Sequence, residues 1–246
     1  MSGPLQMKRV MVDPLGGLLR DEKSGAWLFQ KKPVAGIPGD VITAEIAILL
    51  YDMLKIVEAD VLATRCLRRN FSETGESGQP LFYEGAGQYL KYCRVRPSLR
   101  ESRDSDSLPR EVWGDGDNAA ERDARARLNF SRHAKSEVLI SLDVTHYATD
   151  EGFEVGHNGV GDAQGLAEKI VQEVSKRTRR RPAGVRELLD EERAYAGLAC
   201  PAVIANCGSS WDPFTTRLLK NPWYRSSIAL GVLGGLWKHY GAGPAA

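Results

Sequence analysis

The stretch Val138-Leu139-Ile140-Ser141-Leu142-Asp143 decides the fold. It is an apolar run that ends in a polar residue. This form is typical of a buried parallel strand that brings a functional group to the edge of an α/β sheet. Two more stretches, Val10 to Gly17 and Pro201 to Gly208, have the same form. Together the three predict a sheet whose strand ends carry the functional groups.

Helical patterns alternate with these strands. Asp40 to Val57 repeats apolar residues every three or four positions, with Asp40 as a plausible N-cap, and Asp60 to Arg65 follows as a strand. Further helices are predicted over Ala119–His133, Gln164–Lys176, Val185–Tyr195 (in whole or in part), Pro213–Lys220 and Tyr224–Tyr240, and an edge strand over Gly152–Gly156. The alternation predicts an α/β three-layer sandwich, with a mostly parallel mixed sheet and helices on both faces.

Residues 66–118 interrupt this alternation. Residues 81–95 have an aromatic, strand-like character, and residues 98–117 form a polar run of mixed charge. We interpret the segment as an inserted hairpin and loop subdomain within one domain spanning residues 1–246. Long insertions of this kind are often functional, and its tyrosines favour a protein-contact surface over internal packing alone.

Composition excludes several classes of protein. The net charge is +1 with 26% charged residues, so the whole chain lacks the excess of basic residues that is typical of nucleic-acid-binding proteins. No run of about 18 apolar residues and no signal-peptide pattern occurs, which favours a cytoplasmic protein without membrane segments. The four cysteines, Cys66, Cys93, Cys200 and Cys207, have neither zinc-knuckle nor disulfide spacing, as suits a reducing compartment.

Several motifs, taken in order, resemble the zinc-dependent N-acetylmuramoyl-L-alanine amidases. Asp13 to Gly17 resembles the family's Asp-Pro-Gly-His-Gly-Gly, and Arg127 to Asp143 resembles an arginine helix that runs into a strand ending in histidine. Pro201 to Gly208 resembles Pro-Ala-Val-Leu-Val-Glu-x-Gly. The resemblance implies the amidase fold over most of the chain outside residues 66–118.

The family's catalytic groups fall on unsuitable residues. Such an enzyme holds zinc with two histidines and a carboxylate, and a second carboxylate takes the proton of the zinc-bound water. The first histidine falls on Gly16 beside Leu15, the second on Asp143, and the general base on Asn206. The ligand glutamate falls on Gly39, next to Asp40. Loss of three of the four groups predicts that no metal is bound, with zinc present only if the site is rearranged.

Other residues remain candidates for a cleft at the strand ends, each with a structural alternative. Asp13 is interpreted as a turn or capping residue in preference to a surviving active-site carboxylate. A displaced metal site could use Asp143 and His146 with Asp13, Asp40 or Glu45, although a histidine at a sheet edge is usually only hydrogen-bonded. Asn206 and Ser209 could bind a ligand or satisfy neighbouring backbone groups.

A basic patch follows the helix that ends near Lys176. It consists of Arg177, Arg179, Arg180 and Arg181. We interpret it as a solvated turn, with an anionic partner such as a phosphate, an acidic glycan or a protein face as the alternative. Single-stranded nucleic acid is disfavoured because no aromatic platform lies beside it in sequence.

Three functions remain open. The preferred hypothesis is a catalytically inactive amidase-like protein that acts as a structural, scaffolding or regulatory component through a protein partner or assembly, for example in a phage or tail-like particle built in the cytoplasm. The alternatives are an amidase with a rearranged metal site that hydrolyses peptidoglycan, and a protein that binds a muropeptide or glycan without cutting it. Neither nucleic acid nor a membrane is an expected partner.

Overall fold

The computed structural model describes residues 3–67, 73–95, 116–145 and 152–241. Its strands are β1 (Arg9–Pro14), β2 (Leu18–Arg20), β3 (Trp27–Phe29), β4 (Pro33–Val34), β5 (Ile37–Pro38), β6 (Asp60–Ala63), β7 (Val138–Thr145), β8 (Phe153–His157), β9 (Pro182–Glu187) and β10 (Ala202–Ser209). Its α-helices are α1 (Gly39–Ile56), α2 (Ala86–Val95), α3 (Ala119–His133), α4 (Ala163–Thr178), α5 (Pro213–Lys220) and α6 (Pro222–Gly241), and 3₁₀ turns cover Leu81–Tyr83 and Asp190–Gly197.

The main sheet has six strands in the order β6-β1-β7-β10-β8-β9. All neighbours are parallel except β8 and β10, so the predicted mixed, mostly parallel sheet is confirmed. The expectation that residues 152–156 form an edge strand is wrong, since β8 pairs with β10 on one side and β9 on the other. Glu154 is a charged residue within β8 and so suggests an exposed edge strand, but its carboxylate forms an ion pair with Arg186 of β9.

Alternating residues of the strands build two apolar cores, one on each face of the sheet. Val10 and Val12 of β1 point into the core that α1, α4 and α6 cover, whereas Met11 points into the core that α2, α3 and the second 3₁₀ turn cover. Successive side chains of a strand face opposite ways, so a strand buried on both faces has a continuous apolar sequence. The predicted helices on both faces are thus confirmed.

The strand-like expectation for residues 81–95 is wrong. They form the first 3₁₀ turn and α2, which packs against α3. Tyr89, Leu90 and Cys93 are buried at three- to four-residue spacing, and this helical period outweighs the β-propensity of the aromatic residues. The rest of the proposed insertion, residues 68–72 and 96–115, lies outside the described residues.

The expectation that residues 185–195 are helical in whole or in part is confirmed only for their second half. Residues 182–187 form the edge strand β9, and only Asp190–Gly197 is helical, as a 3₁₀ turn. Pairing with β8 supplies β9 with backbone hydrogen bonds that no local pattern indicates. Within the described part of the chain, no helix has the length and apolar character needed to cross a bilayer.

Candidate functional site

The carboxyl ends of β1, β7 and β10 meet at one edge of the sheet. The parallel register places Asp13 beside Ser141, and Asp143 beside Asn206. The three stretches that resembled family motifs therefore deliver their polar ends to one place, where a cleft opens above the strands.

Asp13 is a fully buried structural centre beneath this cleft. Its Oδ1 accepts hydrogen bonds from Thr64 Oγ1 at 2.5 Å and Arg127 Nη1 at 2.7 Å, and its Oδ2 accepts from Ser141 Oγ at 2.8 Å and Tyr195 Oη at 3.0 Å. Two donors on each oxygen leave the carboxylate little capacity for a ligand. Asp13 acts neither as an N-cap nor as a turn residue, since its donors come from four separate elements or connections.

Arg127 ties this centre to helix α3. Its guanidinium also contacts Asp123 Oδ2 at 2.6 Å and donates to the carbonyl oxygens of Pro14 and Gly16. Burial acts to lower the pKa of Arg127, but the charges of Asp123 and Asp13 outweigh it and raise that pKa above its usual value. The sequence offered one signal for this cluster, the four-residue spacing of Asp123 and Arg127 on a helix.

Asp40 also serves the backbone. It is fully buried in the first turn of α1, and its carboxylate accepts hydrogen bonds from the amides of Gly17, Gln30 and Lys31. The expectation that Asp40 is the N-cap is wrong, because Pro38 occupies that position without a side-chain cap. Burial raises the pKa of Asp40, and the surrounding amides and Arg65 oppose that rise. The Asp40 carboxylate therefore links the connection that contains Gly17, Gln30 and Lys31 to the start of α1.

Lys31, which sequence analysis did not single out, lies at the strand ends. Its Nζ is 2.7 Å from Oδ1 of Asp143, with the two side chains 19% and 11% exposed; the two groups form an ion pair but lack the angles of a hydrogen bond. A Cβ atom on Gly39 would lie 2.9 Å from Lys31 Cβ, and one on Gly16 would lie 3.1 Å from Lys31 Cγ. The lysine stem therefore packs against Gly39, whereas a side chain at position 16 would collide first with the carboxylate of Asp40.

The remaining candidates are engaged in local contacts, lie away from the cleft or are not described. Asn206 Oδ1 accepts a hydrogen bond from the Gly208 amide at 3.1 Å, and Ser209 Oγ accepts one from the Trp211 amide at 3.1 Å, so both satisfy local backbone groups. Glu45 lies 3.1 Å from Arg225 of α6 and does not line the cleft. His146 lies outside the described residues.

The cleft itself has a volume of about 260 Å³. Leu15 and Ile204 provide apolar walls, and Gln30, Lys31 and Asp143 provide polar groups. Such a mixture of apolar walls and a few polar groups is typical of a small-molecule pocket. Over residues 3–67, 73–95, 116–145 and 152–241, no three histidine, cysteine, aspartate or glutamate side chains are grouped as metal ligands would be.

The basic patch lies at the end of α4. Arg177, Arg179 and Arg181 are exposed, whereas Arg180 lies 4.7 Å above the ring of Phe214 and 3.9 Å from Asp212. Asp212 caps α5 directly after β10, so the patch lies at the same edge of the sheet as the cleft.

Solved structures share this architecture. The N-acetylmuramoyl-L-alanine amidase from Clostridium difficile 630 matches with a TM-score of 0.58 and 14% identity over 97% of this chain and 100% of that one. Ami1 from Mycobacterium smegmatis gives 0.61 and 12% over 97% and 99%. The CwlD amidase from Clostridioides difficile, in complex with the GerS lipoprotein, gives 0.60 and 14% over 95% and 98%. The fold is that of the N-acetylmuramoyl-L-alanine amidases.

This likeness confirms the amidase-like fold that the motifs predicted. No protein-family model and no curated protein sequence matches the chain. At 12–14% identity the amidase structures establish the architecture, while the chemistry depends on this chain's own residues.

Proposed function

We propose that this chain is an amidase-fold protein that does not carry out zinc-dependent hydrolysis and acts through binding at its strand-end cleft and through contacts with a partner. The observation that carries the proposal is the ion pair between Lys31 and Asp143 at 2.7 Å. The role that we infer is structural, scaffolding or regulatory, exerted through the cleft and through contacts with a partner.

The donor set at the strand ends supports this proposal because it fits zinc poorly. Asp143 already faces an ammonium group, which would repel a divalent cation at the same place. The oxygens of Asp40 accept three backbone amides, and Gly16 offers no side chain. Zinc sites need a set of free carboxylate, imidazole or thiolate donors, which these residues do not supply.

Metal content and hydrolysis test the proposal directly. The chain purified without chelator should contain far less than one zinc per molecule by elemental analysis, and it should release no stem peptide from peptidoglycan in the presence of added zinc. One tightly held zinc per chain, together with cleavage that a chelator abolishes, would overturn it and favour the amidase with a rearranged metal site. That second candidate draws its support from a fold match over 97% of the chain and from the presence of His146 next to Thr145 in the sequence.

The binding role has its own test. A muropeptide carries carboxylates and amides that Lys31 and Gln30 could contact in the cleft. Calorimetric titration should show saturable binding that weakens about tenfold for Lys31→Met, the loss of one charge-assisted contact. The neighbouring variant Lys32→Met is the matched control, since Lys32 does not line the cleft. A flat titration of the unmodified chain would exclude the muropeptide.

A further inference from the structure

Three large aromatic side chains protrude around α5. Trp211 is 64% exposed, Phe214 54% and Trp223 80%. Trp211 and Phe214 stand at the start of α5 and Trp223 just beyond its end, so about 12 Å of helix separates them. We call these three residues the aromatic ridge. Packing among the described residues leaves more than half of each of these three residues exposed, so the ridge is open to an external contact.

Positive charge surrounds the aromatic ridge. Residues 176–181 and 211–223 contain seven lysines and arginines and a single acidic residue, Asp212, although the whole chain has a net charge of only +1. Lys32 Nζ lies 5.7 Å from the ring of Trp211, and Arg180 lies 4.7 Å from that of Phe214. Arg217 and Lys220 of α5 are exposed. Lys32 and Arg180 thus contact rings of the ridge, and Arg217 and Lys220 belong to the helix that separates its members.

We propose that this surface docks peripherally on an anionic lipid bilayer. Tryptophan is favoured at the level of lipid headgroups, where its ring is buried and its N–H remains hydrated, and phenylalanine favours the acyl boundary. Lysine and arginine beside such rings bind anionic headgroups. A peripheral contact of this kind departs from the sequence-based expectation that a membrane is not a partner. It is not a transmembrane segment, and it is independent of the cleft function proposed above.

Two other classes of partner fit the surface less well. A sugar chain would stack on free ring faces, but cations already lie over the rings of Trp211 and Phe214. A protein interface is depleted in lysine at its centre, whereas Lys32 contacts the ridge and Lys220 belongs to the helix between its members. An anionic bilayer accommodates both the inserted rings and the surrounding cations.

Vesicle binding by the full chain tests the proposal. Co-sedimentation with vesicles of phosphatidylcholine containing about a third phosphatidylglycerol should show binding that pure phosphatidylcholine does not, with a blue shift of tryptophan fluorescence. Trp211→Ala with Trp223→Ala should weaken binding by at least about tenfold and remove the shift. Arg217→Gln with Lys220→Gln should weaken it by roughly tenfold and reduce its salt dependence.

Matched controls separate the surface from general effects. Trp237, 42% exposed near the far end of α6, gives the control Trp237→Ala, and exposed Lys23 and Arg193 give Lys23→Gln with Arg193→Gln. Both controls should bind vesicles as the unmodified chain does, and circular dichroism should show every variant folded. Absence of binding, equal binding to neutral vesicles, or unchanged binding by the ridge variants would overturn the proposal. Tight binding of soluble polyphosphate, without a blue shift and with no preference for vesicles, would assign the surface to a soluble polyanion instead.

Discussion

At the residue scale, the strongest electrostatic feature is the group of charges under the cleft. Arg127 is 2% exposed and faces Asp13 and Asp123 at 2.7 and 2.6 Å. Arg65, 1% exposed, donates to the carbonyl oxygens of Glu84 and Phe82, and burial together with the charge of Arg127 lowers its pKa to about 10. Buried ions persist only when paired and hydrogen-bonded, so the two arginines and their acceptors depend on one another.

Arg127→Met should therefore be severely destabilising. The substitution keeps an apolar stem but leaves two buried carboxylates without their cation, and loss of one partner of a buried pair costs about 3–5 kcal/mol. Urea denaturation followed by circular dichroism measures the change in the free energy of unfolding. Arg193→Met is the control, because its pair with Asp190 is 76% and 87% exposed and should contribute less than about 1 kcal/mol. Equal losses in the two variants would show that the buried charges do not cooperate.

The Lys31–Asp143 pair gives a second prediction at this scale. Lys31→Met alone should cost about 1–3 kcal/mol because the carboxylate, 11% exposed, loses its counter-charge. Asp143→Asn combined with Lys31→Met should recover part of that loss, with a coupling free energy of about 1 kcal/mol or more. A double-mutant cycle by urea denaturation measures the coupling. Strict additivity would mean that Lys31 and Asp143 act independently, and it would remove the main support for the proposed function.

The positions of these residues were predictable to different degrees. An apolar run followed by a polar residue placed Asp13, Asp143 and Asn206 at one sheet edge, because parallel strands share their direction. Lys31 lies in an irregular connection with no periodicity, and its position depends on space left by Gly39. Contacts of that kind arise only when distant parts of the chain pack together.

At the element scale, α4 and α6 pack unusually closely. A Cβ atom on Gly231 would lie 2.6 Å from Val174 Cα, and one on Gly235 would lie 2.6 Å from Ile170 Cα. The two helices thus approach backbone to backbone. Gly234, between them in sequence, meets the side chain of Glu173, whose Oε2 would be 3.1 Å and whose Cγ would be 3.5 Å from the added atom.

These three glycines should respond differently to alanine. Gly231→Ala and Gly235→Ala should each destabilise by about 1–3 kcal/mol, because the added methyl group forces two backbones apart in a close-packed core. Gly234→Ala should be neutral or stabilising by up to about 1 kcal/mol, since alanine is the better helix former and the glutamate can move. Thermal and urea unfolding measure all three. Destabilisation by Gly234→Ala equal to that of its neighbours would contradict the close approach.

Helices and strands were predicted correctly where a periodic pattern extends over many residues. They were predicted incorrectly where packing or pairing with a distant part of the chain determines the structure. The range predicted for α3, residues 119–133, agrees with the structure, because its capping residue Asn118 and its apolar spacing both lie in the local sequence. α2 was missed because its tyrosines favour strands, and β9 because its strand character depends on pairing with β8. Local propensity is a weak guide at such positions.

At the scale of the whole molecule, the fold and the chemistry depend on different residues. The sheet and its helices need apolar side chains, which the strands retain throughout both cores. Metal chemistry needs a few donors at the strand ends, where the described residues place Lys31, Asp143 and Asn206. A family's architecture can therefore be read from a sequence with more assurance than its reaction.

The last prediction concerns zinc and global stability. A ligand that binds only the folded state stabilises it by about 2.7 kcal/mol at a free concentration one hundredfold above its Kd. For a chain of 246 residues, roughly 2–4 °C in Tm per kcal/mol makes this a rise of about 5–10 °C. Because Lys31 engages Asp143 and backbone amides engage Asp40, we expect Tm to change by less than about 1 °C on addition of either zinc or a chelator. Differential scanning calorimetry measures both changes. A fall of several degrees with chelator, restored by zinc, would show that the folded chain holds the metal and would favour the hydrolytic alternative.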